Sequence, residues 1–203
     1  MSSCSTAYQF WLLPLLLLLA CLPPCIPGMT PPVVMSPHPR LRSTQILTRQ
    51  LRDIQESPSE FFSAGLVNDS DLFEWDVCIA GPPDTIYEGG IFSARLSFPD
   101  NYPDKPPRMR FLTPVWHPNV YLTGDVCISI LHDPGEDETN PEELASMRWS
   151  PVHSVETIVL SVISMLSDPT DDSPANIEAA IQLRSDYNLY KQRVLQCVAE
   201  SLG

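Results

Sequence analysis

Hydrophobic and polar positions change their period along the chain, and the changes mark out its elements. From Leu41, the apolar residues Ile46, Leu47, Leu51 and Ile54 recur at helical spacing with polar residues between them, which predicts an amphipathic helix that Pro58 ends. The period then shortens to two. Phe73, Trp75, Val77 and Ile79 alternate with Glu74, Asp76 and Cys78, as in a strand with one face buried, and the run Gly81-Pro82-Pro83-Asp84-Thr85 breaks it. After Gly89-Gly90, Phe92, Ala94, Leu96 and Phe98 alternate with Ser93, Arg95 and Ser97, and then Met109 and Phe111 with Arg108 and Arg110. Short Gly/Pro/Asp connectors between these segments predict an antiparallel meander. From Val155 to Leu166 the pattern becomes that of a largely apolar helix, followed by the turn residues 168–174 and two helical stretches from Ala175 to the end. Strands followed by helices predict an α+β domain.

The 203 residues suit one domain of moderate size with a tail, and 43% hydrophobic against 18% charged residues excludes a disordered chain. Twelve Lys and Arg stand against 25 Asp and Glu, a net charge of −13 that repels phosphate backbones and excludes nucleic acid as a partner. The first helix reverses this sign locally with Arg40, Arg42, Arg49 and Arg52. Such arginines serve either as an ordinary solvated face or as a docking surface for an acidic partner.

Residues 1–34 form a separate, apolar and Pro-rich unit, and the first charged side chain of the chain is Arg40. The apolar run from Phe10 to Leu22 spans about 20 Å as a helix, short of the roughly 30 Å hydrocarbon core. Its length suits a signal peptide, yet no Lys or Arg precedes it and Pro23, Pro24 and Pro27 follow it. An upstream start before Met29 or Met35, or an anchor in contact with a membrane surface through residues 10–22, are the other readings. The domain is expected over residues 35–203. Cys4, Cys21, Cys25, Cys78, Cys127 and Cys197 show no paired spacing inside the charged portion, so neither a zinc site nor a disulfide framework is predicted. Reduced thiols are expected, which points to the cytosol or nucleus.

The candidate chemistry lies in the aperiodic stretch between the meander and the apolar helix, a connection long enough to be functional. Cys127 follows the turn Thr123-Gly124-Asp125 at the expected edge of the sheet, where a thiol is either packing or an exposed acyl acceptor. Asn119 carries an amide able to stabilise an oxyanion, or else satisfies nearby backbone. His117, before Pro118, invites a Cys-His pairing, but a His-Pro turn is a structural feature first and His117 is assigned to fold maintenance. Within residues 132–143, Asp133, Glu136, Asp137, Glu138, Glu142 and Glu143 make six of twelve residues acidic. They form either a solvated loop or a positioning surface, and carboxylates beside Cys127 are expected to disfavour its thiolate.

The order His117-Pro118-Asn119, then Gly124-Asp125-Val126-Cys127-Ile128, then Trp149-Ser150-Pro151 resembles the ubiquitin-conjugating enzymes. The segment from Tyr102 to Pro107 and Ser173 to Asn176 also match in order, and the acidic stretch after Cys127 resembles the G-type subclass. The resemblance implies a four-stranded antiparallel meander with an N-terminal helix and C-terminal helices. It implies that Cys127 accepts ubiquitin as a thioester from an activating enzyme and passes it to lysine amines, with Asn119 supporting the oxyanion and Asp172 or Ser173 at the gate orienting the amine. Asp133, Glu136, Asp137 and Glu138 would position an acceptor ubiquitin for chain building in protein degradation. Arg40, Arg42 and Arg49 resemble the docking site for the activating enzyme. Pro106, Ser150 and Pro151 resemble the platform for ligases, RING type above all, although Asp104 stands where relatives carry an apolar residue. Leu160 and Ser164 match positions that hold the donor ubiquitin. No metal or organic cofactor is implied, since ATP is used by the upstream activating enzyme, and a cytoplasmic, nuclear or cytosolic endoplasmic-reticulum-facing location is expected. The alternatives are conjugation of another ubiquitin-like modifier and a non-catalytic scaffold.

Overall fold

The computed structural model of the chain describes residues 39–138, 140–170 and 173–203. The N-terminal extension, its apolar run 10–22 and Asp172 lie outside the described residues. Helix α1 (Pro39–Glu56) begins two residues before the first position of the apolar pattern, because Pro39 suits the first turn of a helix, and it buries Leu47 against β1 and β2. Four strands follow: β1 (Phe62–Asn68), β2 (Asp71–Ala80), β3 (Ile91–Ser97) and β4 (Arg108–Phe111). They pair antiparallel in the order β1-β2-β3-β4, a meander. The strand β1 is missed by alternation, since Ala64, Gly65, Leu66 and Val67 are half-buried or exposed instead of alternating between the faces.

The predicted alternation in β2 and β3 sorts the faces as expected. Trp75, Val77, Ile79, Phe92, Ala94 and Leu96 are buried. On the outer face the register sets Asp76 opposite Arg95 and Glu74 opposite Ser97. These pairs close as an ion pair of 2.9 Å and a hydrogen bond of 2.8 Å. Helix α2 (Val155–Ser167) contributes Val155, Ile158, Val159, Val162 and Leu166 to the same core, a stripe at helical spacing. Ser154 caps it, accepting from Thr157 N–H while Thr157 Oγ1 accepts from Ser154 N–H. Helices α3 (Ile177–Ser185) and α4 (Tyr187–Glu200) complete the α+β fold, capped by Asn176 and Asp186. Among the described residues no helix is long and apolar enough to cross a membrane.

Candidate active site

Beyond β4 the chain passes through Trp116-His117-Pro118-Asn119-Val120, all buried. His117 fixes this turn. Its Nδ1 accepts from Asn119 N–H at 3.0 Å, so its Nε2 carries the hydrogen and donates to Met165 O at 3.0 Å. Burial lowers its pKa to about 4, and the ring is neutral. Both ring nitrogens are thus used within the fold.

The turn before Cys127 needs a glycine. Gly124 has φ +91°, and a Cβ there would stand 2.3 Å from Phe111 O. That close approach lets Phe111 N–H donate to Gly124 O at 2.9 Å and Val126 N–H to Met109 O at 2.9 Å, which lays residues 124–126 along the outer edge of β4. Cys127 therefore lies at the edge of the sheet, as expected, and is half-buried. Its N–H donates to Asn119 O at 2.9 Å, next to a bridge between Val120 and Val126, so the two residues are neighbours across a backbone pair. Asn119 is 8% exposed, and its side-chain Oδ1 has no partner. Asn176 Nδ2, also buried, has none either, although Asn176 N–H donates to Pro118 O at 2.8 Å.

The histidine beside the cysteine is His132, which sequence reasoning passed over. A short 3-10 turn (Ser129–Leu131) follows Cys127 and ends in His132, whose Nε2 lies 3.4 Å from Cys127 Sγ. His132 Nδ1 lies 2.7 Å from Glu143 Oε1. Glu143 is itself held. Its carboxylate is 8% exposed, and its second oxygen is 3.3 Å from Arg148 Nη1, which also pairs with Asp137 at 3.2 Å. Arg148 Nε donates to Asp133 O at 2.8 Å, and Trp149 N–H to His132 O at 3.1 Å, so the loop closes on itself beside the sulfur. The signal available in the sequence was a histidine five residues after the cysteine, within reach once a tight turn intervenes.

The Glu143 charge acts against the Cys127 thiolate in the direction expected of the acidic stretch, but it is the least of the contributions there. The hydrogen bond to His132 is the largest and lowers the thiol pKa, the His132 charge and the Tyr121 hydrogen bond act with it, and desolvation acts against it. Conversely, the contact with Cys127 and the bond to Glu143 raise the His132 pKa against desolvation. Desolvation raises the Glu143 carboxyl, but hydrogen bonds from Ser129 and His132 and the Arg148 charge hold it below the usual carboxylate range. Three of the acids are thus spent on partners: Glu143 and Asp137 on Arg148, and Asp133 on Lys105 at 3.3 Å. Glu136 and Glu138 are exposed.

The remaining candidates spread over the surface. Arg40 pairs with Asp100, Arg42 with Asp104 at 2.9 Å, and Arg49 with Asp53 at 3.7 Å. Exposed pairs of this kind are worth about 0–1 kcal/mol each and leave the arginines open to exchange partners. Pro106 and Ser150 are half-buried and Pro151 is exposed, while Leu160 and Ser164 are exposed one turn apart on α2. Ser173 is exposed with φ +51°, in the left-handed region. Cys78, Cys127 and Cys197 are free thiols, and among the described residues no group of three or more His, Cys, Asp or Glu is disposed to hold a metal ion.

Comparison with known proteins gives a consistent result. The family described as "Ubiquitin-conjugating enzyme" matches residues 46–198. The chain is 54% identical over 163 residues to "Probable ubiquitin-conjugating enzyme E2 7" of Caenorhabditis elegans, covering 79% of this chain and 97% of that protein. It is 55% identical over 164 residues to "Ubiquitin-conjugating enzyme E2 15" of Schizosaccharomyces pombe, covering 81% of this chain and 98% of that one. The solved structure of human ubiquitin-conjugating enzyme E2 G1 is similar with a TM-score of 0.56 and 57% identity, over 63% of this chain and 97% of that chain. The meander with its flanking helices, the half-buried cysteine at the sheet edge and these matches together establish that the chain belongs to the ubiquitin-conjugating enzyme family.

Proposed function

We propose that Cys127 accepts activated ubiquitin as a thioester and that a lysine amine of a substrate, or of another ubiquitin, then takes it. The observation that carries this reading is the pairing of Cys127 N–H with Asn119 O at 2.9 Å, which makes a residue with a half-buried thiol and a buried asparagine neighbours across a backbone pair. Asn119 supports the oxyanion of the tetrahedral intermediate. Asp172 and Ser173, at the gate, orient the incoming amine. No metal or organic cofactor takes part, and ATP is consumed by the activating enzyme upstream.

The subclass is the G type. The exposed acids Glu136 and Glu138, with Asp133 and Asp137, position an acceptor ubiquitin, so that the products are polyubiquitin chains that mark proteins for degradation. Arg40, Arg42 and Arg49 dock the activating enzyme. Pro106, Ser150 and Pro151 receive a RING-type ligase, and the exposed Leu160 and Ser164 hold the donor ubiquitin. The setting is the cytosol, where ATP-driven charging takes place.

Incubation with activating enzyme, ATP and ubiquitin, followed by non-reducing electrophoresis, tests the central step. A ubiquitin-sized shift is expected that reductant removes and that Cys127→Ala abolishes. A shift that survives Cys127→Ala overturns the assignment.

A further inference from the structure

We propose that Asn176 is a positioning residue for the transfer to lysine: its Nδ2–H donates to Asn119 Oδ1 and, by holding that oxygen, aims the Asn119 Nδ2–H at the carbonyl of the Cys127 thioester. The proposal rests on the thioester reading of Cys127 and the oxyanion role of Asn119, and it deepens both.

Among the described residues, two buried side-chain polar atoms have no hydrogen-bond partner, Asn119 Oδ1 and Asn176 Nδ2. One is an acceptor and the other a donor. Asn119 is 8% exposed and Asn176 5%, so solvent does not stand in for the missing bonds. Folded chains leave few such groups, because a buried polar atom without a partner is costly. A single bond between these two satisfies both.

The backbone brings the two residues together. Asn176 N–H donates to Pro118 O at 2.8 Å, and that carbonyl belongs to the peptide unit entering Asn119. Standard bond lengths then put the Asn119 and Asn176 Cα atoms at most about 6.5 Å apart. Each side-chain amide extends about 3 Å from its Cα and a hydrogen bond spans about 2.9 Å, so the two amides are within one bond of each other. The other groups of both residues are committed. Asn119 N–H donates to His117 Nδ1 at 3.0 Å, and Asn119 O accepts from Cys127 N–H at 2.9 Å. Asn176 Oδ1 caps α3 by accepting from Ala179 N–H at 3.1 Å, which fixes Nδ2 as the end of that amide left to donate. The Asn119 side chain is the part with freedom to turn.

Its place decides what the turn achieves. Pro118 O faces α3 and Asn119 O faces Cys127, so Asn119 stands between the helix and the cysteine. A carboxamide is planar with its oxygen and nitrogen on opposite sides, and drawing Oδ1 to α3 presents Nδ2–H on the side of the cysteine. In the transfer, the amine nitrogen forms the new C–N bond and the carbonyl oxygen takes up the electron pair and the Asn119 hydrogen bond. The C–S bond then breaks, the sulfur leaves as the Cys127 thiolate, and the amine proton passes to water. A donor already aimed at the oxygen costs no reorganisation at that moment.

The test uses the full chain. Asn176→Asp and Asn176→Ser both keep a favourable cap for α3 and both remove the Nδ2 donor. Single-turnover discharge of the ubiquitin thioester to free lysine is measured beside charging, for each variant, for Asn119→Ala and for the two double variants. Charging is expected at close to the wild-type rate, and discharge about tenfold slower in both Asn176 variants. Added to Asn119→Ala, either change is expected to slow discharge no further, since the amide it positions is gone, whereas a general loosening of α3 slows both backgrounds alike. Wild-type discharge in the Asn176 variants, equal losses in charging and discharge, or a further loss in the Asn119→Ala background overturns the proposal. Should both Asn176 variants fail to fold, a nuclear Overhauser contact between the Asn176 Nδ2 hydrogens and the Asn119 side chain of the wild type is the readout, and its absence overturns the proposal. A wild type that forms no thioester removes the reading of Cys127 and this proposal with it. Slow discharge in Asn119→Ala beside normal discharge in the Asn176 variants removes the proposal alone.

Discussion

Asn119 illustrates how little a residue's chemistry depends on its own segment. Its backbone carbonyl accepts from Cys127 N–H and its N–H donates to His117, so both of its main-chain groups are spent on holding the turn, and the side chain is left over. An unpartnered buried amide oxygen costs about 1–3 kcal/mol, and because it accepts and does not donate, the oxyanion role proposed above falls to the amide Nδ2–H. Asn119→Ala is therefore expected to charge with ubiquitin at close to the normal rate but to discharge to lysine about 10² times more slowly, the usual loss for one oxyanion donor. Single-turnover discharge measured beside charging checks this. Equal losses in the two steps would make Asn119 structural instead.

At the scale of elements, the connection between Cys127 and Trp149 divides into an inner and an outer part. The inner part, with His132, Glu143 and Arg148, is packed and hydrogen-bonded. The outer part carries the exposed Glu136 and Glu138, whose charges have room to meet a partner. The division predicts that changing Glu136 and Glu138 together to Ala leaves thioester formation unaltered while shortening the chains built in a ligase-supported assay, read by gel. Unchanged chain lengths would return the outer acids to a merely solvating role. The strands and helices around this loop were readable from period alone, because burial on one face imposes a period of two or 3.6 wherever an element lies on the core. Strand β1 was not, because a first strand with half-buried positions on both faces has no alternation to read.

For the whole molecule, acid is the condition that tests the packing. His117 is buried and neutral with a pKa of about 4, against 6.5 for an ordinary histidine. The unfolded chain therefore binds a proton that the folded chain refuses between these values, and stability falls as the pH drops from about 6.5 towards 4. The loss is on the order of 3 kcal/mol from this group. Glu143, held below its usual range, adds to the loss at the acid end, as its contribution disappears when the pH falls through its folded value. His132 acts with the opposite sign, since its pKa is raised and its share is lost as the pH rises through the folded value. Urea unfolding at pH 7 and pH 4.5 is expected to show a clear drop in midpoint, with the His117 ring resonances unshifted down to about pH 5. A His117 titration near pH 6.5 would contradict the buried neutral ring.

The amino-acid sequence by itself determined the α+β class, the buried faces of β2, β3 and α2, the acidic charge balance and the pairing of Asn119 with Cys127 as candidates. These follow from local periodicity or from a short motif. Which charges reach the thiol was decided by the tertiary structure alone. Counting carboxylates near Cys127 predicts a disfavoured thiolate. The fold also puts the His132 ring 3.4 Å from the sulfur and spends Glu143 on that ring and on Arg148. A pKa responds to distance, burial and hydrogen bonding, and these are settled by where an aperiodic loop closes: Trp149 N–H on His132 O, Arg148 on Asp133 O. No repeat of apolar residues records that closure, because it is made by polar side chains and backbone groups far apart in the chain.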